Sequence, residues 1–255
     1  MELIDTHAHL YDAAFAQDLD QVIASSQQAQ VCKVYLPNID ADTLAPMLAL
    51  EAKYPALCAA MIGIHPCAIQ QDFNKQLYEV EAWLGKRTFA AMGEIGIDLY
   101  RDTTYQAQQE QALAIQLAWA KQYQMPIAIH CRKGFPQVIR LLEQHQDGTL
   151  KGIFHCFSGT LAEAEQIIAL GFYLGIGGLV TFKNAGLAQT VASIDLAHMV
   201  LETDSPYLAP TPYRGRRNEP AYLAYIAMQL ATSHKVDLAT VAAITTTNAR
   251  KVFER

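Results

Sequence analysis

Leu3-Ile4-Asp5-Thr6-His7-Ala8-His9 reads as a short apolar strand that finishes on two histidines. Outward from it, the same design recurs along the chain. Val31–Leu36 is strand-like, 57–64 runs into His65-Pro66, and 89–95 carries Glu94. Pro126-Ile127-Ala128-Ile129 ends on His130, and Gly152-Ile153-Phe154 ends on His155. Phe172–Ile176 follows, and Met199-Val200-Leu201-Glu202-Thr203 ends on Asp204. Helical patterns separate these runs. Segment 106–123 is rich in Gln, Ala and Leu and carries Leu113, Leu117 and Ala120 on one stripe. Segment 161–170 opens after Ser158-Gly159-Thr160 and stops at Gly171. Two more helices, 220–233 and Leu238–Phe253, follow the last strand.

Strand–helix alternation implies parallel strands joined by right-handed crossovers. Eight rounds of it imply a closed (β/α)8 TIM-type barrel, an α/β fold, with 1–255 as a single domain. The alternative is an open doubly wound sheet. Its nucleotide fingerprint is missing, because Gly175-Ile176-Gly177-Gly178-Leu179-Val180 puts Val where the third glycine belongs.

The 255 residues are 51% hydrophobic and 17% charged, a folded rather than disordered composition. A net charge of -6 excludes a coat of positive charge for non-specific DNA binding and leaves room for a local phosphate site. Five cysteines without a CxxC pair argue against a disulfide framework. Met1-Glu2-Leu3-Ile4-Asp5 lacks a basic leader, and the longest apolar run, 56–64, is far short of the roughly 20 residues that cross a bilayer. A cytoplasmic protein with no membrane partner is expected. A monomer is compatible with these features, which leave the oligomeric state open.

In this fold the active site forms at the C-terminal ends of the strands. Six of the eight strands finish in a potential ligand, and only His145, His198 and His234 of the eight histidines lie elsewhere. His7 and His9, two residues apart, share a strand face and suit one cation such as Zn²⁺; the bland alternative is a pair of surface histidines. Asp5 and Asp204 are further oxygen ligands, or acceptors that fix the histidine tautomers. If His130 and His155 point inward, Cys131 and Cys156 point to the helices as small buried hydrophobes. Glu94, at the end of an apolar strand, needs compensation for its charge. A pair of cations bridged by it supplies that; pairing with Arg132 is the alternative. Two cations can clamp the attacking and leaving oxygens of a phosphoryl displacement. Asp204 can serve as ligand and as general base. Glu202, on the same face, is either a supporting acceptor or half of a structural ion pair.

Arg101, Arg132 and Lys133, and the run Tyr213-Arg214-Gly215-Arg216-Arg217-Asn218, fall on loops at the same mouth. Guanidinium forks suit phosphate oxygens, and Tyr100, Tyr207 and Tyr213 offer faces for bases. Single surface charges are mostly just solvated; their shared placement carries the inference.

Seven motifs run in order through almost the whole chain: Asp5-Thr6-His7-Ala8-His9-Leu10, Gly63-Ile64-His65-Pro66, Gly93-Glu94-Ile95-Gly96-Ile97-Asp98, Ile129-His130-Cys131-Arg132, His155-Cys156-Phe157-Ser158-Gly159, Glu202-Thr203-Asp204-Ser205-Pro206 and Arg214-Gly215-Arg216-Arg217-Asn218-Glu219-Pro220. On these the chain resembles the TatD-type metal-dependent deoxyribonucleases of the amidohydrolase-like barrel superfamily. The resemblance implies two divalent cations per subunit (Mg²⁺, Mn²⁺ or Zn²⁺) held by His7, His9, Glu94, His130, His155 and Asp204. Glu94 would bridge them and Asp204 would lie beside the attacking water. DNA or another phosphate-bearing substrate is implied, with hydrolysis often 3′→5′ on single strands. His65, Arg101, Arg132, Arg214 and Arg217 are then expected on the substrate, with Asp5 and Glu202 behind the ligands. Two departures from the family pattern, Cys67 and Lys133, bear on substrate contacts rather than on the six ligands. The competing readings are a metal-dependent hydrolase of a small phosphate ester or amide metabolite, and a non-enzymatic DNA- or protein-binding scaffold.

Overall fold

The computed structural model describes residues 1–100 and 102–254, so Arg101 lies outside the described residues. The strands are β1 (Leu3–Asp5), β2 (Val31–Leu36), β3 (Cys58–Ala60), β4 (Met92–Asp98), β5 (Ile127–Arg132), β6 (Gly152–Phe154), β7 (Phe172–Ile176) and β8 (Met199–Leu201). The helices between and after them are α1 (Leu19–Gln28), α2 (Ala41–Lys53), α3 (Phe73–Leu84), α4 (Gln106–Gln122), α5 (Phe135–His145), α6 (Leu161–Ala169), α7 (Leu187–Ala192), α8 (Leu223–His234) and α9 (Leu238–Phe253). Among the described residues, no helix is long and apolar enough to cross a membrane.

Every strand pairing is parallel. β1-β2-β3 form one ladder and β4-β5-β6-β7-β8 another. Backbone hydrogen bonds close the two seams. Gly93 N donates to Ile62 O at 2.8 Å, and Ile62 N to Ala91 O at 3.0 Å. At the other seam Thr6 N donates to Leu201 O at 3.0 Å and Asp204 N to His7 O at 2.9 Å. The result is the α/β barrel.

The strands are shorter than the sequence pattern suggests, and this corrects where the candidate site residues sit. His7 and His9 lie beyond β1, His65 beyond β3, His155 just past β6 and Asp204 past β8. Glu94 and His130 lie inside β4 and β5. β4 starts at Met92 instead of Phe89 and continues to Asp98, because Ile95 through Asp98 pair with Ile129 through Arg132. Gly96 stands opposite His130 in that ladder, where a Cβ would come within 1.9 Å of the His130 carbonyl oxygen. Only glycine permits so close an approach.

Ile4, Tyr35, Met61, Ala91, Ala128, Ile153 and Val200 form one buried cluster, to which α9 adds Ala249, Val252 and Phe253. The alternation along β5 explains it: Ala128 belongs to this inner layer, while Ile127 and Ile129 join the larger core under the helices. Phe253 stacks on Tyr35 with ring centroids 4.2 Å apart. The barrel is therefore filled toward its N-terminal end, and the buried histidines and carboxylates gather at its C-terminal end.

Helix α4 buries the Leu113, Leu117 and Ala120 stripe, and also two glutamines. Gln109 accepts from Asp98 N at 2.9 Å and donates to Asp98 O at 3.1 Å; Gln116 accepts from Ile64 N at 2.8 Å. Each thus holds backbone beside a site residue. Gln109→Leu leaves two buried backbone groups unpaired. Chemical denaturation is expected to show a loss of about 2–3 kcal/mol, and an unchanged midpoint would contradict the assignment.

Candidate metal centre

Seven side chains from six of the barrel's staves converge at the open end. Glu94 is the hub, and its two oxygens face different histidines. Oε2 lies 3.1 Å from His7 Nε2 and 3.7 Å from His9 Nε2. Oε1 lies 2.7 Å from His130 Nδ1, 3.4 Å from His65 Nε2 and 3.7 Å from His155 Nε2. Asp204 Oδ1 lies 3.5 Å from His9 Nε2 and 3.9 Å from His155 Nε2. His7 and His155 stack with centroids 3.5 Å apart. Arg132, the alternative partner for Glu94, stacks instead on Tyr100 at 3.8 Å.

These gaps test whether cations fit. Separations of 3.5–3.9 Å are too long for hydrogen bonds. They approach the roughly 3.4 Å between ligand atoms that each stand about 2.1 Å from a shared tetrahedral ion. His7 Nδ1 is buried without a hydrogen-bond partner among the described residues. The donor set is imidazole nitrogen and carboxylate oxygen, which suits Zn²⁺ and its neighbours. Donor atoms of His7, His9 and Glu94 lie within 4.8 Å of one another, as do those of His65, Glu94 and His130, and those of His7, His155 and Asp204. The cluster suits a divalent metal site.

Partners behind the rings decide which nitrogen faces inward. Tyr11 Oη donates to Pro37 O at 2.5 Å, so it accepts from His9 Nδ1 at 2.9 Å. That leaves the His9 Nε2 lone pair for the cluster. Asp98 Oδ2 lies 3.0 Å from His130 Nε2 and turns Nδ1 inward. Glu202 Oε1 lies 3.0 Å from His155 Nδ1 and accepts from Cys156 N at 2.6 Å, with the side chain packed over Gly175. His65 is the opposite case. Its Nδ1 accepts from Cys67 N at 3.0 Å, so the neutral ring carries its proton on Nε2, facing Glu94. It enters the cluster as a donor.

Asp5 does not touch a histidine ring. It accepts from His7 N, Thr203 N and Thr203 Oγ1, tying the loop after β1 to the loop after β8. Burial pushes its pKa up to about 7 against those hydrogen bonds. Cys131 packs on the main core, and burial pushes its thiol up to about 12. Cys156 departs from the expected buried hydrophobe. Its φ of 49° turns the chain, and it lies half-buried with its donor atom within 4.8 Å of those of His155 and Glu202. Asp98 and Tyr11 were not singled out from the sequence. Asp98 lies four residues after Glu94 and so on the same face of β4, a signal present in the pattern.

The basic residues divide. Arg217 is redirected from the expected substrate role: its guanidinium binds both Asp18 oxygens at 2.6–2.7 Å, Glu219 at 3.0 Å and Ala14 O, and stacks on Phe15. It fastens the loop after β8 to the start of α1. Arg214 stacks on Phe182 at 4.5 Å. Tyr213 is taken up by Tyr222 and Tyr225. Tyr207 stays half exposed, edge-on to His9 at 6.0 Å.

Charge balance in the cluster has a measurable result. Burial disfavours a charged His155, but Glu202, Glu94 and Asp204 outweigh it and push the pKa up to about 10. Burial likewise opposes a charged Glu94, yet His65, His7 and His155 hold it well below its ordinary range. The metal-free protein thus keeps a proton on His155 throughout the neutral range. A cation must displace that proton, and the competition stiffens as pH falls. Calorimetry in buffers of different ionisation heat is expected to show at least one proton released per chain at pH 7, with weaker metal binding at pH 6. Release of none would contradict it.

Residues 4–254 match the model of the TatD related DNase family. The chain is 34% identical over 252 residues to the uncharacterized metal-dependent hydrolase YabD of Bacillus subtilis, covering 98% of both chains. It is 32% identical over 257 residues to the 3′-5′ ssDNA/RNA exonuclease TatD of Edwardsiella piscicida, covering 98% of this chain and 99% of that one. The crystal structure of YjjV, a TatD homolog from Escherichia coli, superposes with a TM-score of 0.93 at 29% identity, over 99% of this chain and 98% of that one. A barrel whose open end gathers histidines and carboxylates, matched from end to end by these relatives, belongs to the TatD related DNase family.

Proposed function

We propose that the chain is a divalent-metal-dependent phosphodiesterase that trims single-stranded nucleic acid from its 3′ end, and that Glu94 would be shared by two cations. One observation carries this reading: Glu94 presents one oxygen to His7 and His9 and the other to His130 and His155. Relatives such as the Edwardsiella piscicida exonuclease support the substrate class. When bound, the cations supply Lewis acidity and activate the nucleophile at neutral pH. The residues do the rest. His7, His9 and Asp204 would hold one cation, and His130 and His155 the other. Asp98 and Glu202 fix the rings of His130 and His155. Asp204, ionised because its pKa is lowered, accepts the proton of the attacking water at a carboxylate oxygen. His65 directs its Nε2 proton toward a phosphate oxygen. Arg132 and Lys133 offer positive charge to the nucleic acid beside the cluster.

The test is a 5′-labelled single-stranded oligonucleotide incubated with Mg²⁺, Mn²⁺ or Zn²⁺. A ladder shortening from the 3′ end, abolished by chelator, is the expected outcome. An intact oligonucleotide in the presence of protein loaded with both cations would overturn the reading in favour of a small phosphate ester or an amide.

A further inference from the structure

A cavity of about 460 Å³ opens between the loops that follow β5 and β6, and it shares His155 with the metal cluster. Its size falls within the roughly 300–1,000 Å³ of small-ligand sites. Its lining joins the apolar Phe135, Phe157 and Ile167 to Tyr100, Arg132 and Lys133. Arg132 already stacks on Tyr100 at 3.8 Å, and a guanidinium stacked on one face has a second face for another flat group.

The charges here are free to meet a ligand. Arg87, Arg140, Arg217 and Arg250 each pair with a carboxylate. Neither Arg132 nor Lys133 has a carboxylate partner among the described residues. The acid on the cavity wall, Glu163, is occupied at the start of α6, where its Oε2 accepts from Thr160 N and Oγ1. A flat apolar group carrying negative charge matches both kinds of lining. An aliphatic phosphate ester would leave the aromatic wall unused, and a neutral amide would leave the cations unused. A nucleotide uses both, and His155, shared by the cavity and the cluster, lies on the side where its phosphate would enter.

We infer that this cavity seats the base of the terminal nucleotide of a single-stranded nucleic acid, which rests on the phosphodiesterase reading and adds to it the subsite that holds the strand end. The probe pair is dAMP and 2-deoxyribose 5-phosphate, titrated by calorimetry into the metal-loaded protein. dAMP is expected to bind at least about tenfold more tightly, the scale of one base–aromatic stack. Two variants follow. Phe135→Ala strips a half-buried ring from the wall, and Ser158→Trp fills the cavity from an exposed position without opening the core. In both, the advantage of dAMP is expected to collapse. Equal affinities in the unaltered protein, or an advantage that survives both substitutions, would overturn the inference. Oligonucleotide cleavage without a dAMP advantage removes the cavity and keeps the phosphodiesterase. A dAMP advantage without cleavage keeps the cavity as a nucleotide site and removes the nuclease.

Discussion

Glu94→Gln is expected to lower oligonucleotide turnover by at least about 1,000-fold, since cation stabilisation of transition-state charge is worth several kcal/mol and each 1.36 kcal/mol is tenfold. The physical reason is that Glu94 turns one oxygen to His7 and His9 and the other to His130 and His155. Glutamine keeps the shape but loses the charge and one acceptor, so metal content should fall below that of the unaltered protein. The fold should survive. Glu94 N still donates to Asn38 O at 3.1 Å, and the surrounding histidines can lose protons once the carboxylate is gone. Circular dichroism and metal analysis of the same sample check both halves of this. A variant with normal metal content and more than a tenth of the activity would contradict it.

Asp204→Asn ranks second, with an expected fall in turnover of about 100- to 10,000-fold, the range of a lost general base. Burial opposes a charge on Asp204, yet His155, His9 and His7 hold its pKa below the ordinary value. The group is therefore ionised throughout the neutral range, and at saturating metal the rate of the unaltered enzyme should decline only as pH drops below the usual carboxylate range. Asparagine accepts no proton, so that acidic limb should vanish from the profile of kcat against pH. Glu202→Gln gives the contrast. It acts through His155, so metal affinity should weaken by about 10- to 100-fold while kcat at saturating metal stays high. An Asp204→Asn profile that keeps the acidic limb would assign the proton to another group.

The barrel was legible because strand-like runs alternate with helical ones eight times, and each run is close to the observed strand. Boundaries were less legible. β1, β3, β6 and β8 are three residues each, and the chain leaves the ladder before His7, His65, His155 and Asp204. The backbone of those same residues then closes the seam, as with Asp204 N on His7 O. The convergence of the cluster was legible because histidines are rare and five of eight fall after apolar runs. Tyr11 and Gln109 were not, since their roles depend on a backbone carbonyl and a strand end that only the fold brings near. The partners of Arg217 were hidden for a similar reason. Its carboxylate partner, Asp18, lies 199 positions away.

The central claim is that Glu94 stands between two cations. Anomalous diffraction from crystals of the Mn²⁺-loaded protein tests it most directly. The account predicts two peaks, one beside His7, His9 and Asp204 and the other beside His130 and His155, each in contact with one Glu94 oxygen. A single peak, or a pair of peaks away from Glu94, would contradict it.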